Sequence, residues 1–335
     1  MARIFIDGFE GGNEGNWDSL SGTSWLTFIA APAGMSGSYA ARFYSGGSDL
    51  HLNKFLPSHP VEFYTSSRVQ KVNTNNRVML ARYWFSGTAV IEIFIETTGY
   101  IRVALRPTQL VPTYIAISDT SLSIGTVYHV ETRTLLSPTV GIVQVKVNNV
   151  VVLNYSGNTR SDIVEAYYDT VSIGAWVGLQ DVYFDDVVFD SEEWVGPSRI
   201  ARLAPIGAGA LTQFTPSAGD NWQCVDEAPP SDADYVATDI IDTADLYTLS
   251  DLPGDALSVK SVQLSTRAFK EVGSTPQNIQ MAVRSNGSNY FSADKQVPDT
   301  VGVNVTHLFE TNPDTGVAWT VGQVNALEGG MKAVT

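Results

Sequence analysis

From Ile4 to Asp190 the apolar positions fall in short runs, rich in β-branched and aromatic residues, separated by clusters of Gly, Asn, Ser and Pro. This alternation predicts many antiparallel strands. The clearest are Val78 to Phe85, Val90 to Glu96, Tyr100 to Leu105, Val127 to Arg133 and Ile142 to Val147. Val143, Val145 and Val147 alternate with Gln144 and Lys146, and Asn148-Asn149 then leads into Val150 to Leu153. Asn tolerates positive φ, so the pair predicts a tight hairpin turn. No run of comparable length has helical spacing.

The strand pattern breaks at Glu192-Glu193-Trp194-Val195-Gly196-Pro197-Ser198, which places a boundary between residues 1–195 and 196–335. A chain of 335 residues exceeds what one core usually serves, in keeping with two domains. Beyond the break, Val259 to Lys270, Ile279 to Arg284 and Val301 to Phe309 are further candidate strands. Thr320-Val321-Gly322-Gln323 has the spacing of a capping box, with Gly329-Gly330 expected to stop the short helix that follows. The expected fold class is therefore all-β: an antiparallel sandwich, then a second β-rich domain with one short C-terminal helix.

Composition narrows the partners. Hydrophobic residues make up 44% of the chain and charged residues 16%, enough apolar material to order it. Lys plus Arg number 20 against 35 Asp plus Glu, a net charge of -15, which repels phosphate backbones and argues against nucleic acid. No stretch approaches the ~20 apolar residues of a membrane span, so no membrane insertion is expected. Charge enters the opening Met1 to Asp7 segment too early for a signal peptide, and synthesis in a cytoplasm without Sec-type export is expected. The lone Cys224 excludes an intramolecular disulfide and reads as a small buried apolar residue. Between Arg202 and Lys260 the chain carries ten acidic residues and no Lys or Arg, the pattern of solvated acidic loops, with a cation site or a basic partner as alternatives.

Three groups of residues are candidates for chemistry. If the first and last strands of the sandwich are neighbours, Asp7, Glu10, Asp185 and Asp186 converge, and such oxygens suit a structural calcium ion. The plainer reading has Asp186 bonding a backbone turn and the others solvated. In Glu92-Ile93-Phe94-Ile95-Glu96, residues 92, 94 and 96 share one strand face. On a regular strand the two glutamates would lie ~13 Å apart at ~3.3 Å per residue, against about 5 Å for a retaining glycosidase pair. They read as two solvated acids flanking a half-exposed aromatic. Trp84, Tyr100 and Tyr114 are candidate platforms for a sugar face, or else fill core or interface. His51, His59, His129 and His307 form no metal motif, and there is no nucleophile elbow, phosphate loop or dinucleotide fingerprint, so no catalytic residue is expected.

The opening Asp7-Gly8-Phe9-Glu10-Gly11, the following Asn13 to Trp17 segment and the closing Phe184-Asp185-Asp186-Val187 resemble the concanavalin A-like, laminin-G-like jelly rolls, over roughly residues 1–190. That superfamily includes glycan-binding modules, glycosidases and structural domains of phage virions. Jelly-roll glucanases carry Glu-x-Asp-x-Glu, and here Phe94 replaces the central Asp. Asn312 to Thr320 followed by Val324 to Gly330 is similar to a closing segment of tailed-phage virion proteins, over roughly residues 200–335. The resemblances imply a non-enzymatic virion protein assembled in the host cytoplasm with other virion proteins. Its implied role is a tail-associated adhesion or fibre component recognising host surface glycan, as a homo-oligomer, by analogy a trimer. A head decoration or head-fibre protein and a glycan-cleaving enzyme of the glucanase type are the alternatives.

Overall fold

A computed structural model describes residues 3–22, 25–46, 49–105, 112–160, 167–176 and 180–335. The chain divides into two compact units, Met1–Ile200 and Ala201–Thr335. In both, the regular structure is almost wholly antiparallel strand, the all-β class expected. No helix among the described residues is long and apolar enough to cross a membrane.

The first unit is a two-sheet sandwich. One sheet runs in the order Val150–Gly157, Gly141–Val147, Val127–Leu135, Glu62–Lys71, Gln180–Asp190, Tyr39–Ser45 and Trp25–Ala30, with Arg3–Asp7 also pairing on Gln180–Asp190. The other runs Thr113–Ser121, Tyr100–Leu105, Thr88–Ile95, Val78–Phe85, Thr170–Ala175, Leu50–Phe55 and Ser19–Ser21. Alternation sends one face of each sheet inward. Phe43, Phe63, Val69, Val130, Val145 and Phe184 from the first meet Leu52, Tyr83, Ile91, Ile93, Val103 and Ile173 from the second in one buried cluster. The Tyr83 hydroxyl crosses that core to share a 2.6 Å hydrogen bond with Thr132.

Local chemistry shapes two turns of this unit. Asn148 and Asn149 have φ of 47° and 67°, the twist that a two-residue hairpin needs. In Gln180–Asp190 the register shifts between Asp185 and Val188, and Asp186 takes a φ of 49°. This bulge inserts one extra residue, so Asp185 and Asp186 both leave the core side while Val187 and Phe189 enter it.

The second unit holds a six-stranded sheet, in the order Pro205–Thr212, Ala244–Leu249, Glu328–Val334, Asn278–Ser285 and Ser288–Phe291, with Lys295–Gln296 added on Asn278–Ser285. Val262–Ala268 pairs with Val303–Phe309 in a separate ribbon. The helix Val321–Asn325 carries the expected box, Thr320 accepting from Gln323 N–H and the Gln323 side chain accepting from Thr320 N–H. Its end differs from expectation. The helix stops at Ala326, and Gly329 and Gly330 lie inside the strand Glu328–Val334. A Cβ on Gly330 would sit 2.0 Å from the Asp245 carbonyl oxygen, so glycine here permits close strand packing and is not a helix stop. Cys224 is buried; most acidic residues of the stretch are exposed, Asp226, Glu227 and Asp234 are half-buried, and Asp245 is buried. Fully buried, it accepts from Gln213 N–H, Phe214 N–H, the Asn221 amide and the Tyr247 hydroxyl.

Candidate functional site

On the seven-stranded sheet the face turned away from the core is unusual for an acidic chain, because it is built from arginines and aromatic rings. Cross-strand register places Arg82 opposite Glu92, and Phe94 opposite Arg102. Arg82 and Glu92 form an ion pair at 2.6 Å with both side chains buried, and a second carboxylate, Asp49, lies 3.4 Å from the same guanidinium. That guanidinium lies 4.5 Å from the Trp176 ring and 5.3 Å from the Trp84 ring. Phe94 continues the row, with Trp176 at 6.3 Å and Tyr114 at 6.4 Å between ring centres.

Two further guanidiniums border its far end. Arg77 sits 4.7 Å from the Phe94 ring and donates to the Tyr114 hydroxyl at 3.2 Å. Arg102 lies 4.9 Å from the Tyr114 ring and pairs with Glu96 at 2.7 Å. Tyr114 itself is exposed. At the near end, the Trp84 indole N–H donates to Ser172, whose hydroxyl donates to Asn53. His51 stacks on Trp84 at 6.1 Å. Burial and the Arg82 charge push the His51 imidazole down to about 4, so it is neutral at neutral pH.

Trp84 and Tyr114 are thus carried on one face and linked through Arg82, Trp176 and Phe94. Tyr100 shares that face by alternation with Arg102 and is exposed at its margin. The glutamates differ from their expected state. Glu92 is buried against Arg82 and Phe94 is buried between its neighbours, so this is neither a pair of solvated acids nor a half-exposed ring. Cross-strand arginines, which a single strand cannot reveal, pair with both glutamates, burying Glu92 and leaving Glu96 half-buried. Each glutamate serves a different arginine. Arg77 and Trp176 lie just beyond strand ends, where no periodicity marks them.

Of the four carboxylates proposed as calcium ligands, Asp185 and Asp186 share Ser36, while Asp7 and Glu10 have other partners. Asp7 accepts from Phe9 N–H at 2.9 Å and the Trp17 indole at 2.9 Å, and burial pushes its carboxyl up to about 6. Glu10 accepts from Ser38 N–H and Tyr39 N–H. Asp185 accepts from Ser36 N–H at 2.7 Å and Asp186 N–H at 2.7 Å. Asp186 accepts from the Ser36 hydroxyl at 2.6 Å, Arg68 at 2.8 Å and Ile200 N–H at 2.7 Å. Among the described residues no group of three or more His, Cys, Asp or Glu side chains is placed to hold a metal ion. The oxygens of these four carboxylates are engaged by backbone N–H groups, the Trp17 indole, the Ser36 hydroxyl and Arg68.

No protein-family model matches the chain, and no curated protein matches it. Solved structures do resemble part of it. The alginate lyase Aly36B matches at 10% identity over 56% of this chain and 90% of its own, with a TM-score of 0.40. A carbohydrate esterase from the Shiga toxin-encoding bacteriophage phi24B matches at 12% identity over 52% and 90%, with a TM-score of 0.36. The globular domain of T. cruzi calreticulin matches at 10% identity over 57% and 89%, with a TM-score of 0.39. Likeness at this level assigns no residue a role. It does correct one expectation: with alginate lyases and a carbohydrate esterase among these structures, the absence of a familiar catalytic motif no longer stands for the absence of catalysis.

Proposed function

We propose that the first unit recognises an acidic polysaccharide on the Trp84–Tyr114 face. The supporting observation is Arg77, which donates to the Tyr114 hydroxyl and lies over the Phe94 ring at one end of a row of aromatic rings, while Arg102 beside the same tyrosine is already paired with Glu96. The apolar C–H face of a pyranose stacks on an aromatic ring, whose face is electron-rich. A guanidinium offers a forked pair of N–H donors that fits a uronate carboxylate. The two together suit a charged sugar better than a neutral one, and in a chain of net charge -15 they give a polyanion a local point of entry.

The test is calorimetric titration with oligouronates, alginate among them, alongside their carboxyl-reduced counterparts. Binding of the acidic form, lost in Arg77→Ala and Tyr114→Ala, is expected. Equal binding of both forms, or of neither, would sink the reading. The same mixtures, followed by ultraviolet absorbance for unsaturated uronate, report whether the bound chain is also cleaved.

The setting belongs to the same proposal. Display on a tailed-phage particle, as a tail-associated adhesion component or alternatively a head fibre, rests on the resemblance of Asn312 to Gly330. Immunogold labelling of intact particles against this chain tests it: gold at the tail or at the head chooses between the two, and unlabelled particles remove both.

A further inference from the structure

The eight-stranded sheet carries a different aromatic feature on its own outward face, at the edge formed by Trp25–Ala30. Leu26 and Phe28 pack against the core, so Trp25 and Thr27 point away from it. Trp25 is 65% exposed, an unfavourable state for the largest apolar side chain. It is nonetheless held in one orientation. Its cross-strand partner is Tyr44, and the two rings lie 5.4 Å apart at an interplanar angle of 9°.

Arg42 is the next outward residue of the neighbouring strand, opposite Thr27. It donates to both oxygens of Asp181, at 3.0 and 2.7 Å, and its guanidinium lies 5.6 Å from the Tyr44 ring and 5.9 Å from the Tyr183 ring. Trp25, Thr27, Arg42 and Tyr44 line a shallow hollow. Asp181 neutralises Arg42, so the hollow presents guanidinium N–H donors and the Thr27 hydroxyl without a free charge.

We propose that this hollow is a second sugar-binding site, taking a neutral hexopyranose by stacking on Trp25. A ring already held flat by Tyr44 loses little freedom when a sugar covers its other side, which favours binding. The Arg42 N–H groups and the Thr27 hydroxyl, with the Arg42 charge balanced by Asp181 beneath, match sugar hydroxyl groups, which both donate and accept, better than a carboxylate. The site is independent of the acidic-sugar face, being on the other sheet and selecting the opposite charge class.

The experiment uses the full chain labelled with 5-fluorotryptophan and a panel of neutral hexaoses with β1,4-glucose, β1,4-mannose, α1,4-glucose and α1,6-mannose linkages at millimolar concentration. The Trp25 fluorine resonance is assigned from its absence in Trp25→Ala. At least one hexaose is expected to shift that resonance. Its affinity should fall tenfold or more in Trp25→Ala and in Asp181→Ala, and stay within twofold in Trp84→Ala. No shift across the panel, or equal binding by Trp25→Ala, overturns the proposal. An exposed sheet edge can also pair with another chain. A wild type that self-associates where Trp25→Ala does not would give the surface to a second copy and overturn it as well. Trp25 is largely outside the core, so its variant should melt with the parent.

Discussion

Arg82 Nε stands 2.6 Å from Glu92 Oε1, with both side chains almost wholly removed from solvent. The pair joins the middle two strands of the ring-and-arginine face, and its removal should be felt there first. Glu92→Gln takes the near carboxylate from the buried Arg82 guanidinium and leaves it the longer Asp49 contact, and loss of one partner from a buried pair costs about 3–5 kcal/mol. Replacing both, as in Arg82→Met with Glu92→Leu, should recover most of that stability. Denaturant unfolding of the three chains checks the order; a single variant as stable as the double would dismiss the pair as structural.

Asp185 makes stability depend on pH in an unusual direction. Burial and the adjacent Asp186 push its carboxyl up to about 8, so the folded chain holds a proton that the unfolded chain releases near 4. The contribution is complete below the unfolded value and is lost as pH rises through 8. Burial pushes Asp7 up to about 6, with the same sign over a lower range. His51, pushed down to about 4, acts oppositely between 4 and 6.5, and Lys71, pushed down to about 8, acts oppositely above 8. Between pH 6.5 and 8, melting temperature should therefore fall as pH rises, and Asp185→Asn should flatten that slope. A wild type whose melting is level across this window would contradict the assignment.

Acidic-sugar binding should weaken with salt. At 0.15 M ionic strength charges are screened beyond about 8 Å, and the attraction exerted by half-buried Arg77 acts over partly exposed ground. Raising salt should lower affinity for an oligouronate several-fold, and Arg77→Ala should both weaken binding and reduce the salt response. Trp84→Ala should weaken binding while leaving the salt response in place, because it removes stacking alone. Titrations at two salt concentrations separate these outcomes.

In the second unit, the buried Trp319 indole donates to the Phe309 carbonyl at 3.0 Å. Trp319→Phe keeps a ring but leaves that carbonyl without its partner, a loss of about 1–3 kcal/mol. Thr320→Ala removes the acceptor for Gln323 N–H at the helix start and should cost about 1 kcal/mol. Unfolding curves of both variants should rank Trp319→Phe as the more damaging; the reverse order would show the anchor to be the lesser contribution.

Strands and turns could be read from the chain because their causes are local. Val78 to Phe85 and Tyr100 to Leu105 stand out as short apolar and aromatic runs, and Asn148-Asn149 turns because Asn accepts positive φ. The face itself was only half visible. Alternation put Glu92, Phe94 and Glu96 on one side, but which residues meet them depends on register between strands, and that is a long-range property. Arg82 could not be assigned to Glu92 without it. Trp25 did carry a signal, since it alternates with Thr27 outside Leu26 and Phe28. Gly329-Gly330 misled for the opposite reason: a glycine that admits a neighbouring strand has the same letter as one that ends a helix.

The strand Gln180–Asp190 lies between Tyr39–Ser45 and Glu62–Lys71 and also receives Arg3–Asp7. The larger sheet therefore lacks its middle until residue 190 has left the ribosome, and the edges of Arg3–Asp7, Tyr39–Ser45 and Glu62–Lys71 that face it wait with unpaired backbone. A chain stalled before that point would expose several adhesive strand edges at once. The whole unit becomes safe from misassociation in a single late step of its synthesis, and slow translation through this last stretch would be the interval in which a chaperone matters most.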